Sequence, residues 1–181
     1  MVLGEGSMGT RVYRGEHADW GPLAIKAMLK VSMPAQGMPE KRGSADKEVQ
    51  LLLRLAAVAG AGSDNVIKYR CVEEDLERVF IGMELCLCSL FDVVQRPAAA
   101  VAAAAACGGL PRIGSQAERM RVVRELLSGT AFLHSHGVVH SDIRPKNILF
   151  VAAPSGQLGT LKLADFGMSK EGVDAADDWA R

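Results

Sequence analysis

The sequence has no surplus of either charge. Twenty-one Lys and Arg balance twenty-one Asp and Glu, so no global field draws the chain to nucleic acid or to an anionic membrane. It has no long apolar run either. The longest, Ala98 to Cys107, is ten residues and mostly alanine, whereas a membrane-spanning helix takes about 20. The opening residues, Met-Val-Leu-Gly-Glu-Gly, hold no basic region followed by an apolar stretch, so no signal peptide is expected. Cysteine is sparse. Cys71, Cys86, Cys88 and Cys107 fit no zinc spacing and no secreted disulfide framework, and they read as incidental thiols in a reducing compartment. What is present is ordinary globular material. The chain has 181 residues, 49% hydrophobic and 23% charged, about one domain on the usual ~100–200 residues. That is enough to build a core and argues against wholesale disorder.

The pattern along the chain changes character part-way. Arg11-Val12-Tyr13 and Leu23-Ala24-Ile25 are β-leaning runs punctuated by Gly15 and Gly21-Pro22. Residues 32–43 hold two prolines and two glycines and predict a loop. Ser44 is a candidate cap for a helix in which Val49, Leu52, Leu53 and Ala56 form the apolar stripe. Strands are expected over 66–72 and 79–85. Ser89 and Asp92 start a short helix that Pro97 ends. Residues 97–109 are alanine-rich and read as a surface insertion. Ser115 and Glu118 form a capping box ahead of a long helix with Met120, Val123, Leu127, Ala131 and His134 as its stripe. Gly137 suits its C-terminal end. Short strands follow at 138–139, 148–151 and 161–163. A β-rich first part and a helical second part predict two lobes, 1–85 and 86–181, with a hinge near residues 84–88.

Several segments carry groups suited to chemistry. Gly4-Glu5-Gly6-Ser7-Met8-Gly9 is a G-x-G-x-x-G with strand, not helix, after it. That favours a glycine-rich hairpin whose N–H groups lie over phosphates, and a plain flexible turn is the competing reading. In Leu23-Ala24-Ile25-Lys26, the lysine stands on a strand among apolar neighbours and can meet anionic oxygens, although such a lysine often snorkels to the surface. Glu48 begins the stripe of the first helix and can pair with Lys26 or stay a solvated helix charge. His140-Ser141-Asp142-Ile143-Arg144-Pro145-Lys146-Asn147 sets a carboxylate and an amide five apart around a proline. A hydroxyl nucleophile needs a nearby carboxylate, and a hard metal ion needs oxygen ligands of the kind Asn147 and Asp165 carry. Each piece alone is also common turn chemistry.

Together the glycine loop, Lys26, Glu48, H-x-D-x-x-x-x-N and Asp165-Phe166-Gly167 stand in the order of the protein-kinase signature set. The strings Gly9-Thr-x-Val-Tyr-Arg-Gly15, Lys47-Glu-Val-Gln-Leu-Leu52, Asn65-Val-Ile-Lys-Tyr69 and Met83-Glu-Leu-Cys86 resemble the inositol-requiring kinase/endoribonucleases, sensors of the endoplasmic-reticulum unfolded-protein response. The resemblance implies an α+β, two-lobed kinase-like fold: an antiparallel N-lobe sheet plus one helix, then a truncated helical C-lobe. It implies an ATP- and magnesium-dependent serine/threonine kinase. Lys26 would contact the α- and β-phosphates, and Glu48 would hold it. Leu3, the loop from Gly4 to Gly9, Val12 and Ala24 would surround the nucleotide. Met83 would be the gatekeeper, with Glu84 and Cys86 bonding adenine through their backbone. Asp142 would be the catalytic carboxylate, Arg144 a phosphate contact, and Asn147 and Asp165 the magnesium ligands.

Protein substrates are implied, itself in trans among them, with a homodimer or oligomer in the full-length parent. The kinase would sit on the cytosolic side of the endoplasmic-reticulum membrane, followed by a ribonuclease. No nucleic-acid site and no membrane segment are expected in this chain. Three departures stand out. Ser141 replaces the arginine of H-R-D. Arg11 occupies the place of the aliphatic residue that roofs adenine, with Val12 next, so either adenine packing weakens or the strand slips by one residue. The chain stops fourteen residues after Gly167, so the activation segment and later helices are expected to be missing. That leaves a nucleotide-binding regulatory module without catalysis as the competing reading of these residues.

Overall fold

The computed structural model describes residues 1–5, 9–30, 44–95, 113–153 and 158–172. The loop tip at Gly6, Ser7 and Met8, the 32–43 loop, the 97–109 insertion and the side-chain cap at Ser44 lie outside the described residues. The chain divides into two compact units, Met1–Val58 with Lys68–Leu85 and Ala59–Ile67 with Cys86–Arg181.

Among the described residues, the first unit is an antiparallel five-stranded sheet carrying one helix. Its strands are β1 (Val2–Glu5), β2 (Arg11–His17), β3 (Gly21–Leu29), β4 (Tyr69–Glu74) and β5 (Arg78–Glu84), and α1 spans Ser44–Ala56. The strand order is β1-β2-β3-β5-β4. β3 is central and nine residues long, and it reverses from β2 through a turn closed by Gly21 at φ +64°, a backbone state glycine adopts without steric cost. The buried apolar residues are Leu23, Ala27, Met28, Val79 and Ile81 of the sheet and Val49, Leu51, Leu52 and Leu55 of the helix. Each fully buried aliphatic side chain contributes about 1.5–3 kcal/mol relative to exposure. The helix is therefore rolled from the expected stripe. Val49 and Leu52 are buried, but Leu53 is 40% exposed and Ala56 is exposed, while Leu51 and Leu55 take the inner places. The strand expected from residue 66 starts at Tyr69, after a single 3₁₀ turn over Ser63–Asn65. Val66 instead makes a lone parallel bridge to Leu163 within the second unit.

That unit holds β6 (Cys88–Ser89), α2 (Leu90–Gln95), α3 (Gln116–Ser135), β7 (Val138–Val139), β8 (Ile148–Ala152), β9 (Leu158–Leu163) and β10 (Lys170–Glu171). Strands β6, β8 and β9 form one sheet, and β7 pairs with β10. Ser89 caps α2, accepting from Asp92 N–H at 3.1 Å while Asp92 accepts from Ser89 N–H at 2.9 Å. The capping box of α3 is formed: Ser115 Oγ accepts from Glu118 N–H, and Glu118 accepts from Ser115 N–H. Gly137 follows the helix at φ +68°. The inner face of α3 is not the expected one. Met120, Val123 and Leu127 are 53%, 48% and 63% exposed, and Ala131 and His134 face solvent too. Val122, Gly129, Phe132 and Leu133 are buried instead. The two stripes lie two residues apart, about 200° around the helix. Contact with β9 decides between them. A Cβ on Gly129 would sit 2.9 Å from the Asn65 carbonyl oxygen and 3.1 Å from Leu163, so the helix approaches where it has no side chain. Arg121 donates to the Leu158 and Gly159 carbonyls, and Glu125 accepts from Leu161 N–H at 2.8 Å.

Candidate active site

The first unit gathers one set of predicted residues on one face of its sheet. Gly4 lies opposite Val12, Val12 opposite Lys26, and Ala24 opposite Met83. Cross-strand partners and alternate residues share a face, so Gly4, Val12, Ala24, Lys26 and Met83 look the same way. This answers the question posed by Arg11. The register brings Val12 to the face of Lys26, while Arg11 is turned to the other side, 58% exposed and 3.4 Å from Glu5. Gly9 holds φ +76°, which disfavours any L side chain. Nothing lies within 4 Å of a Cβ built on Gly4, so the backbone there is open to close approach. Leu3, on β1, is 42% exposed.

Lys26 does not snorkel. Its Nζ donates to both oxygens of Glu48, at 2.6 and 2.8 Å, with side chains 9% and 2% exposed. Glu48 occupies the inner stripe of α1 next to Val49 and Leu52. A carboxylate is tolerated there because a full opposite charge and two short hydrogen bonds offset its desolvation. Met83 is buried at the end of β5. Glu84 is tied at two points, its N–H donating to the Lys68 carbonyl at 2.9 Å and its Oε1 accepting from Lys68 N–H at 2.7 Å.

The second unit gathers the others. Cys86 is half-buried in a segment fixed where Leu87 N–H donates to the Phe150 carbonyl at 2.7 Å. Burial pushes the neighbouring Cys88 thiol up to about 12, so it stays protonated. His140 is buried, with Nε2 donating to the Ala164 carbonyl at 3.0 Å and Nδ1 accepting from Asp142 N–H at 3.3 Å. The carbonyl can only accept, so the ring is the Nε2–H tautomer. Burial pulls its pKa below the ordinary histidine value. It packs on Phe166 with ring centroids 5.0 Å apart.

Asp142 and Asn147 meet. Asn147 Nδ2 donates to Asp142 Oδ2 at 2.7 Å and to its carbonyl at 2.9 Å. Arg144 Nε lies 3.4 Å from the same Oδ2. Asn147 N–H turns back to the Arg144 carbonyl at 2.8 Å, and its own carbonyl accepts from Ala164 N–H at 3.0 Å, which ties the loop to the segment holding Asp165. Ser141 and Asp165 have φ +61° and +68°, costly for residues other than glycine and typical of backbone held at functional sites. Asp165 is exposed while Phe166 beside it is buried. Both amide N–H groups of Asn147 are spent on Asp142, so its Oδ1 is the atom suited to a cation. An amide oxygen with a carboxylate fits magnesium, which takes few protein ligands and completes its shell with water and phosphate.

Some contacts around this loop were not legible in the sequence. Lys146 Nζ lies 5.1 Å from the centroid of the Phe91 ring, and buried Asn65 donates through Nδ2 to the Leu161 carbonyl at 3.1 Å. Neither pair has a recognisable spacing. Lys162, alternating with Leu161 and Leu163 on β9, is also buried.

The chain aligns with the serine/threonine-protein kinase/endoribonuclease ireA of Aspergillus fumigatus at 35% identity over 176 residues, covering 94% of this chain and 13% of that protein. The serine/threonine-protein kinase/endoribonuclease IRE2 of Homo sapiens is likewise 35% identical over 170 residues, 94% of this chain and 15% of that protein. A protein named sensor for unfolded proteins in the ER, ire1, of Schizosaccharomyces pombe is 29% identical over 174 residues, 94% of this chain and 14% of its own length. The chain thus spans a small part of each of these relatives. The model of the protein kinase domain, by contrast, matches residues 1–178, so this chain belongs to the protein kinase domain family.

Proposed function

We propose that this domain transfers the terminal phosphoryl group of ATP to serine and threonine hydroxyls of proteins, with magnesium. The observation that carries the reading is the Asp142 carboxylate, fixed through Asn147 and flanked by Arg144. Phosphoryl transfer relies mainly on positioning and electrostatics, and this loop supplies a held carboxylate to accept the hydroxyl proton. In this reading, residues 1–85 are the N-lobe and 86–181 belong to the C-lobe. Lys26, held by Glu48, contacts the α- and β-phosphates. Gly4 to Gly9, Leu3, Val12 and Ala24 enclose the nucleotide, Met83 stands behind adenine, and the backbone of Glu84 and Cys86 bonds it. Arg144 meets phosphate with a forked guanidinium where an ammonium is usual. Asn147 and Asp165 would hold magnesium, which would neutralise charge on the phosphates.

The substrate reading extends to a second copy of the parent protein, phosphorylated in trans within a dimer. The names of the relatives place such kinases beside an endoribonuclease and in the sensing of unfolded proteins in the ER. We assign the parent of this domain the same setting, with the kinase on the cytosolic side. No helix among the described residues is long and apolar enough to cross a membrane.

The test is Asp142→Asn in the full-length protein, with phosphate-labelled ATP and a protein acceptor. Transfer is expected to fall by about a hundredfold or more, within the ~10²–10⁴ range of acid–base residues, while ATP affinity changes little. A surviving rate would remove Asp142 from the catalytic role.

A further inference from the structure

We infer that Phe91, in the first turn of α2, is a positioning residue for the catalytic loop, holding Pro145 and Lys146 and through them the spacing of Asp142 and Asn147. The inference rests on the kinase reading above.

The loop's internal bonds run from Asn147 to Asp142 and Arg144. They fix its two functional residues relative to each other. Pro145, between them, has no N–H to donate, so its carbonyl is what it offers to a neighbour. That carbonyl accepts from Phe91 N–H at 3.0 Å, one of the helix-start donors that have no partner within the helix itself. The Lys146 ammonium lies 5.1 Å from the centroid of the same residue's ring, within the range of a cation–π contact. Phe91 thus grips two successive loop residues, one through its backbone and one through its ring.

The grip is itself rigidly mounted. The turn before Phe91 is locked by three Ser89–Asp92 hydrogen bonds of 2.7 to 3.1 Å. Just upstream, Cys88 pairs with Phe150 of β8, the strand that leaves the loop after Asn147. Loop, strand β8, strand β6 and helix start therefore form a closed circuit, and Phe91 closes it. Its ring is not what anchors the helix. Val93 is the buried side chain of α2, 6% exposed, whereas Phe91 is only half-buried and spends its face on Lys146.

The test uses the full-length protein with Phe91→Ala, Phe91→Tyr, Lys146→Met and the Phe91→Ala/Lys146→Met double variant. The readouts are kcat, ATP affinity, and hydrogen exchange of the 142–147 segment. Phe91→Ala is expected to lower kcat by about three- to tenfold with ATP affinity within about twofold, as loss of one exposed cation–π contact and its positioning allows. Phe91→Tyr keeps the ring and should recover the wild-type rate within about twofold. Lys146→Met should act in the same direction, and the double variant should be no worse than Phe91→Ala alone. Exchange of the loop should quicken in the alanine variant and not in the tyrosine one. The proposal is overturned by an unchanged kcat in Phe91→Ala, by ATP affinity falling in step with it, or by strictly additive losses. If the wild-type protein transfers no phosphate, the kinase reading fails, and loop exchange alone decides: equal protection in wild type and Phe91→Ala overturns the clamp.

Discussion

Lys26 and Glu48 place two opposite charges almost out of water, at 9% and 2% side-chain exposure. The desolvation of such a pair is large, and its mutual attraction mainly offsets that cost. Its value lies in orientation, since two short bonds aim the ammonium along one direction. Removing one partner leaves the other buried and uncompensated. Glu48→Gln is therefore expected to destabilise the domain by about 3 kcal/mol or more. Replacing both residues, Lys26→Met with Glu48→Leu, should recover most of that stability and none of the phosphotransfer. Chemical denaturation beside an activity assay checks both arms, and a double variant as unstable as Glu48→Gln would contradict the account. At this scale most of the candidate site was legible. Lys26, Glu48, Asp142, Asn147 and Asp165 are chemically conspicuous residues at characteristic spacings. The facing of Arg11 and Val12 was not, because strand register depends on pairing partners outside the local sequence. The Phe91–Lys146 contact was invisible for the same reason, since it joins residues far apart in the chain.

Helix α3 shows where sequence periodicity misleads. Met120, Val123, Leu127 and Ala131 make a convincing apolar stripe, yet the buried one runs through Val122, Gly129, Phe132 and Leu133. Hydrophobicity gives no weight to a glycine, and at Gly129 the absence of a side chain is what admits Asn65 and Leu163. Helix existence, cap and end were all readable, because they depend on local chemistry at Ser115, Glu118 and Gly137. Facing was not, because it depends on what packs alongside. Gly129→Ala tests this directly. Helix propensity alone would gain about 1 kcal/mol. The new methyl, 2.9 Å from a backbone oxygen, should cost about 1–3 kcal/mol as overpacking and reverse the sign. A stabilised Gly129→Ala protein in thermal unfolding would show that the helix does not approach as described.

The capping box gives a pH signature at the same scale. Hydrogen bonds from the Ser115 N–H, the Ser115 hydroxyl and the Gly114 N–H hold the Glu118 carboxyl below its ordinary value of about 4.5. A carboxylate with a depressed folded pKa contributes stability above its unfolded value, and that contribution is lost as pH falls through the folded one. Wild type and Glu118→Gln should therefore differ in unfolding midpoint at neutral pH and converge as the pH falls below the ordinary carboxylate value. A constant gap across that range would exclude the carboxylate as its source.

For the whole molecule, the kinase signature is distributed over the chain from Gly4 to Gly167. Order along the chain, more than any one segment, is what made it readable. The structure forms a lysine–glutamate pair in one unit and an Asp–Asn loop in the other, and the proposed function requires that ATP bind together with magnesium. Phosphates and the Asp165 carboxylate are both anionic and repel without a bridging cation. Calorimetric titration of ATP into the full-length protein, with magnesium and then with a chelator, tests that claim most directly. Affinity is expected to be about tenfold or more weaker without magnesium, and equal affinity in the two titrations would rule out magnesium-linked binding.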